Sequence, residues 1–217
     1  MNGALLQAKV YAGYAAAALR VGTAFSQYRP AGAGAVLVSG NLRGTLTAAF
    51  DGSPLYGFSK PPSYGKPFWY ALVDGRMTQP GDYLTSTSQT WFIAAQQPLE
   101  PIQAVLCNRV VAISRPAGPA PGASYYGGDT TADETPLLTG WPVAIVESAR
   151  RGQKPDARLP GDIDSPMADL YLPPSAPVQL RYGDTIFDDQ AQPVRYVVGA
   201  VETSSLGTRA TLLIGVA

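Results

Sequence analysis

The 217 residues carry 16 basic and 16 acidic side chains, one cysteine and no histidine. The balanced charge leaves no electrostatic footprint for nucleic acid or anionic lipid, and the missing histidine removes Ser-His-Asp and Cys-His catalysis along with any zinc site. Hydrophobic residues at 46% can fill a core, while 23 Gly and 20 Pro beside only 15% charged residues favour strands, turns and long loops with little solvating surface, as in an assembly subunit.

Residues 4–21, ALLQAKVYAGYAAAALRV, are the one convincing helix. Leu6, Val10, Tyr14, Ala17 and Val21 recur at helical spacing, and Gly22 is placed to stop it. The stripe is narrow and partly alanine, so the helix is expected to lie on a neighbouring surface, with Leu6, Val10 and Tyr14 as candidate subunit or partner contacts. The glycine-rich YRPAGAGAVLVSG that follows has no helix after it to supply backbone dipoles and reads as a flexible arm. Leu46, Ala48 and Phe50 then alternate with Thr45, Thr47 and Ala49 up to the turn Asp51-Gly52.

After a Pro-rich elbow comes FWYALVDGR (68–76), matched in type and order by WPVAIVESAR (141–150). Gly81-Asp82 and Gly183-Asp184 follow, each leading to a short strand, a polar turn, an aromatic-aliphatic strand (WFIAA, RYVVGA) and a long alternating strand at 104–113 or 208–216. Gly81 to Phe92 is eleven positions and Gly183 to Tyr196 thirteen, a difference of two that preserves strand facing. Gly supplies a positive φ and Asp bonds its own backbone, so Gly81, Asp82, Gly183 and Asp184 are read as structural turn residues. Cys107, in the alternating QAVLCNRVVAIS, reads as a buried structural thiol.

The fold class expected is mainly β: two small antiparallel barrel or sandwich modules from an internal duplication, an N-terminal helix and long Pro/Gly-rich arms. The divisions are a helix and β arm (1–60), a first module (61–116), a linker arm (117–140) with Tyr125 and Tyr126 as interface candidates, and a second module (141–217). The second module carries an inserted loop (148–179), in which Tyr171 and Leu172 are possible partner anchors.

Chemistry is sparse. No phosphate-cradling Gly-Lys-Ser/Thr turn occurs. Asp162, Asp164 and Asp169 lack the central Gly and closing Glu of a calcium loop, and Asp188-Asp189 fit a hairpin tip. Aromatic residues without a basic stripe disfavour nucleic-acid binding. The expectation is no catalytic residues, no metal and no cofactor. No apolar run reaches membrane-spanning length and no secretion-signal pattern opens the chain, so neither a membrane span nor export is expected.

PGDYL...WFIAAQQPLEPIQAVLCNRVVAISRP and YGDTIFDDQAQPVRYVVGAVETSSLGTRATLLIGV resemble the small β-barrel of head-tail joining proteins of tailed bacteriophages, also called head-completion, stopper or neck proteins. The segment YAGYAAAALRVGTAFSQYRP similarly resembles the start of structural proteins of phage morphogenesis regions. Two modules, a long helix and two arms depart from the simple family pattern. The resemblance implies a virion structural protein: a homo-oligomeric ring, hexamer or dodecamer, in the neck between capsid and tail, assembled in host cytoplasm. It would touch the portal or adaptor on one side and a tail terminator or other tail protein on the other, with DNA passing through the lumen without sequence-specific contact. Two rivals stand beside it. One is a capsid decoration, tail or baseplate module that binds glycans on a face begun by Trp69 and Tyr70. The other is a virion hydrolase using paired carboxylates among Asp164, Asp169, Asp184 and Asp188.

Overall fold

The computed structural model describes residues 2–58, 65–117, 134–147 and 167–214. Its first element is the helix α1 (Gly3–Val21), where the Asn2 side chain accepts the Ala4 N–H at 3.1 Å and Gly22 N–H closes the last turn on the Ala18 carbonyl at 2.7 Å. Six strands follow: β1 (Thr23–Tyr28), β2 (Leu42–Asp51), β3 (Phe68–Leu72), β4 (Tyr83–Thr85), β5 (Thr90–Ala95) and β6 (Ile102–Cys107). They close into an antiparallel barrel in the order β1-β2-β3-β6-β5-β4. A second set comprises β7 (Arg109–Arg115), β8 (Thr135–Glu147), β9 (Met167–Leu172), β10 (Thr185–Asp188), β11 (Arg195–Ser204) and β12 (Gly207–Ile214). It closes as β7-β8-β9-β12-β11-β10, the same order advanced by six strands. Two small barrels from a repeated unit are therefore the architecture, and closure leaves neither barrel with a free edge.

The boundaries differ from those read in the sequence. The stretch 104–113 is two strands, β6 closing the first barrel and β7 opening the second, with Asn108 alone between them. The first barrel reaches back to residue 23 and the second to residue 109, so 61–116 and 141–217 are not the repeating units. FWYAL is β3 and WPVAIVE lies in β8, the counterpart of β2, so those two segments are not equivalents. Both are aliphatic strands with an aromatic start, and composition alone does not distinguish one barrel strand from another. Pairing registers align Trp91, not Phe92, with Tyr196, because Leu84 faces Trp91 and Ile186 faces Tyr196. The hairpins thus differ by three residues, and facing is kept because the extra residues sit in the turn, outside the pairing that sets parity.

The structure also corrects the two arms it describes. Residues 29–41 form a strap across the second barrel: Val36 N–H donates to Gly140 O at 3.2 Å, Thr139 N–H to Ala33 O at 3.0 Å, and the Trp141 indole N–H to Ala33 O at 3.1 Å. The close approach falls on Gly140 of β8, where an added Cβ would lie 2.9 Å from the Ala35 Cβ, while the strap's own Gly32 and Gly34 have open space around them. Tyr171 and Leu172 end β9 and do not anchor an inserted loop. Leu172 is 1% exposed in the core, and Tyr171 meets Phe68 of the first barrel edge-on at 5.0 Å. Tyr125, Tyr126 and 148–166 lie outside the described residues.

The first barrel's interior holds Phe25, Leu84, Trp91, Ile93 and Ile102. On its outer face α1 covers β2 and β3, burying Ala18 against Ala49 and Leu72, while Tyr14 meets Tyr56 edge-on at 5.5 Å. Tyr14 is thus turned to its own barrel, Leu6 and Val10 are half-buried, and Leu5 and Leu19 point outward, 63% and 74% exposed. The helix is not long and apolar enough to cross a membrane. A second, larger core runs through both barrels, joining Val36, Tyr83, Phe92 and Val105 to Trp141, Val143 and Leu172. At its centre the Tyr83 hydroxyl donates to Pro142 O at 2.8 Å, and its ring meets Trp141 edge-on at 6.2 Å. Burial holds the Tyr83 phenol well above its usual value, so it stays a donor. Asn108 stitches the junction by exchanging two 2.8 Å hydrogen bonds with the Ile145 backbone.

A shared core predicts one cooperative unfolding transition for both barrels. Trp141→Ala, which empties the seam, is expected to cost about 3–5 kcal/mol and to split that transition in two, read by differential scanning calorimetry.

Candidate functional site

The repeated Gly-Asp turn has one geometry in both copies. Gly81 and Gly183 sit at φ +89° and +86°, in the left-handed region. Gly81 N–H donates to Ile93 O at 2.7 Å and Gly183 N–H to Val198 O at 2.9 Å, so each glycine pins its turn to the bulged strand β5 or β11. Ile93 and Val198 return N–H bonds to Asp82 O and Asp184 O, both at 2.9 Å. The carboxylates bond backward as well: Gln79 N–H reaches Asp82 at 3.0 Å, and Arg181 N–H reaches Asp184 at 2.7 Å.

Each buried acid is then clamped by an arginine at the exit of its barrel's first strand, Arg29 just past β1 and Arg115 the last residue of β7. Arg29 gives both Nε and a terminal nitrogen to Asp82 at 2.7 Å, and Arg115 does the same to Asp184 at 2.8 and 2.9 Å. These bidentate pairs hold both guanidiniums above their usual value. One further carbonyl is satisfied in each copy by a different donor: the Gln27 amide reaches Met77 O at 2.9 Å, and Arg115 reaches Gln179 O at 2.9 Å. The two arginines went unnoticed in sequence. Their signal was there, because the Arg-Pro of YRP (28–30) recurs in SRP (114–116).

This arrangement fastens β1 to the β4 turn and β7 to the β10 turn. Both acids are shut away from solvent, Asp82 0% and Asp184 1% exposed, and both oxygens of each are hydrogen-bonded. Asp169 and Asp188 are paired as well. Asp169, on β9, pairs with Arg209 at 2.9 Å, and Asp188, at the end of β10, faces Arg109 at 3.6 Å. Asp184, Asp169 and Asp188 thus each belong to a different arginine, and Asp162 and Asp164 lie outside the described residues. No group of three or more His, Cys, Asp or Glu among the described residues is placed to hold a metal ion. Trp69 packs within the first barrel, so its strand neighbour Tyr70 turns to the opposite face and the two do not share a surface. Cys107 is half-buried against the common core, and burial pushes its thiol up, away from the reactive thiolate.

Asp188 closes the end of the second barrel. It accepts Val194 N–H at 2.9 Å and the Gln190 amide at 2.6 Å, with the Tyr196 hydroxyl at 3.5 Å. Burial pushes its carboxyl up, but these donors and the Arg109 charge together hold it below the usual carboxylate value. Comparison of the chain with family models, with curated proteins and with solved structures finds no match.

Two outcomes follow from this geometry. Gly183→Ala is expected to cost about 1–3 kcal/mol from backbone strain alone, since nothing stands within 4 Å of its added Cβ. Gly81→Ala should cost more, because its Cβ would lie 2.3 Å from the Ser175 Cβ across the barrel seam. Denaturant melts should show Ser175→Gly recovering part of that excess in the Gly81→Ala background, because the Ser175 N stays 3.1 Å from the new Cβ and the Ser175 hydroxyl bond to Gly81 O is lost. For Asp188, a lowered folded value means that its contribution is present above the unfolded value and lost as pH falls through the folded one. Asp188→Asn should therefore lower the melting temperature at neutral pH, with the gap to wild type closing below about pH 4.

Proposed function

We propose that this protein is a structural ring subunit of the neck of a tailed bacteriophage, joining the portal or its adaptor to the tail and helping to retain packaged DNA. The observation that carries the reading is how the duplicated polar residues are used: Asp82 with Arg29 and Asp184 with Arg115 are internal fasteners of a double barrel, which makes a stiff body whose working parts are its outer surfaces. A common core and a one-residue junction make the two barrels a single block, suited to transmitting load between neighbours. The outward helix face presents Leu5 and Leu19, apolar groups that an assembly would cover. Balanced charge suits a wall that DNA slides past, and the resemblance of the Gly-Asp repeats to head-tail joining proteins supplies the place in the virion.

Native mass spectrometry and light scattering of the purified chain, alone and mixed with portal rings or tail tubes, test this reading. The expected result is a closed ring, hexamer or dodecamer, formed alone or on one of those platforms. Leu5→Glu with Leu19→Glu should reduce assembly while leaving the unfolding free energy within about 0.5 kcal/mol of wild type, as exposed substitutions do. A monomer at every concentration that ignores both platforms would overturn it.

A further inference from the structure

The two barrels end differently where their first strands begin. In the second, Arg109 and Asp188 form a polar plug over Tyr196. Pairing registers put Thr23 and Ser86 at the positions of Arg109 and Asp188 in the first barrel, so no ion pair closes it. Registers also place Trp69 where the second barrel has Ala168, and Phe50 where it has Ile145. The first barrel consequently ends in an open cavity of about 390 Å³ walled by Phe25, Phe50, Trp69, Trp91 and Leu106, with the Gly22 turn of α1 on one side.

The rings brace one another. Phe50 stacks on Trp91 at 3.9 Å and 6°, Trp69 meets Trp91 edge-on at 5.7 Å, and Phe25 meets Phe50 edge-on at 5.4 Å. Such mutual packing preforms the walls, which lowers the ordering cost of binding. Phe58 stands at the lip, 49% exposed, with φ +49°, a backbone that bulky residues avoid; its N–H is held by the buried Asp51 at 2.6 Å. Among the described residues no charged side chain lines the cavity, and the Trp91 indole N–H is already satisfied by Gln89 at 3.3 Å.

We propose that this end of the first barrel is a binding site for a small uncharged molecule built on an aromatic or fused ring. The volume lies within the range of ligand pockets, roughly 300–1,000 Å³, and flat ring walls favour a flat guest. An ionised guest is disfavoured because no charged group among the described lining residues would compensate its lost hydration. The site is independent of the ring assembly, and neither stands or falls with the other.

The test uses the full chain and two probes of one ring system, 2-naphthalenemethanol and 2-naphthalenesulfonate. The three tryptophan indole N–H signals, assigned by single Trp→Phe variants, report where binding occurs. The uncharged probe should bind saturably and shift Trp69 and Trp91 but not Trp141, while the sulfonate binds at least roughly tenfold more weakly. Thr23→Arg with Ser86→Asp transplants the second barrel's plug and should abolish the shifts; if that pair does not fold, Trp69→Leu should weaken binding by a similar factor. Unsaturable binding, equal affinity for the two probes, a response confined to Trp141, or binding untouched in a folded variant would each overturn the proposal.

Discussion

The structure depends on one interaction made twice, an arginine at the exit of a barrel's first strand gripping a buried aspartate in the turn before its fourth. In the first barrel Asp82 takes four donors, from Arg29 twice, Gln27 and Gln79; in the second, Asp184 takes three, from Arg115 twice and Arg181. A buried carboxylate is tolerable only when both oxygens find donors and its charge a partner. Filling those needs here requires β1 to lie beside β4 and β7 beside β10, which is the closure that makes each barrel a barrel. The glycine before each aspartate is the backbone half of the same knot, because only its left-handed φ lets the turn bond to the bulged strand while the carboxylate points back at the arginine.

Around that shared frame the two interiors have diverged in complementary ways. Where the second barrel uses Val143, Leu170 and Leu212, the first has Ala48, Ala71 and Ala104, and it recovers the lost volume with Phe25 and Trp91 in place of Val111 and Tyr196. Packed cores tolerate such exchanges when total volume is kept. Concentrating volume in a few large rings leaves one end of the first barrel open, while the second is shut by Arg109 and Asp188. The outer faces have diverged too: Tyr83, in the place of Thr185, turns outward to fill the seam against Trp141.

Local signals in the chain were informative about local structure. The helix over 4–21 is observed as Gly3–Val21, and the positive φ expected of the Gly-Asp turns is observed at Gly81 and Gly183. Strand membership was harder. Residues 104–113 read as one alternating strand because Asn108 interrupts the pattern for a single position, and the junction of two barrels occupies no more chain than that. Residues 29–41 read as a flexible arm because composition does not show the hydrogen bonds to Thr139, Gly140 and Trp141 that hold the segment in place. Leu172 read as a loop anchor because the prolines before and after its strand hid a segment of only six residues.

The amino-acid sequence by itself determined a mainly β, histidine-free, duplicated protein with an N-terminal helix, because turn chemistry, strand alternation and helical spacing are properties of neighbouring residues. Only the tertiary structure decided which strand closes which barrel, that Arg29 and Arg115 are the partners of Asp82 and Asp184, and that one barrel end is plugged and the other open. Those outcomes join residues 53 and 69 positions apart. A contact at that separation is chosen by the closure of the whole sheet; the recurring Arg-Pro marks the two arginines but not the partners they reach.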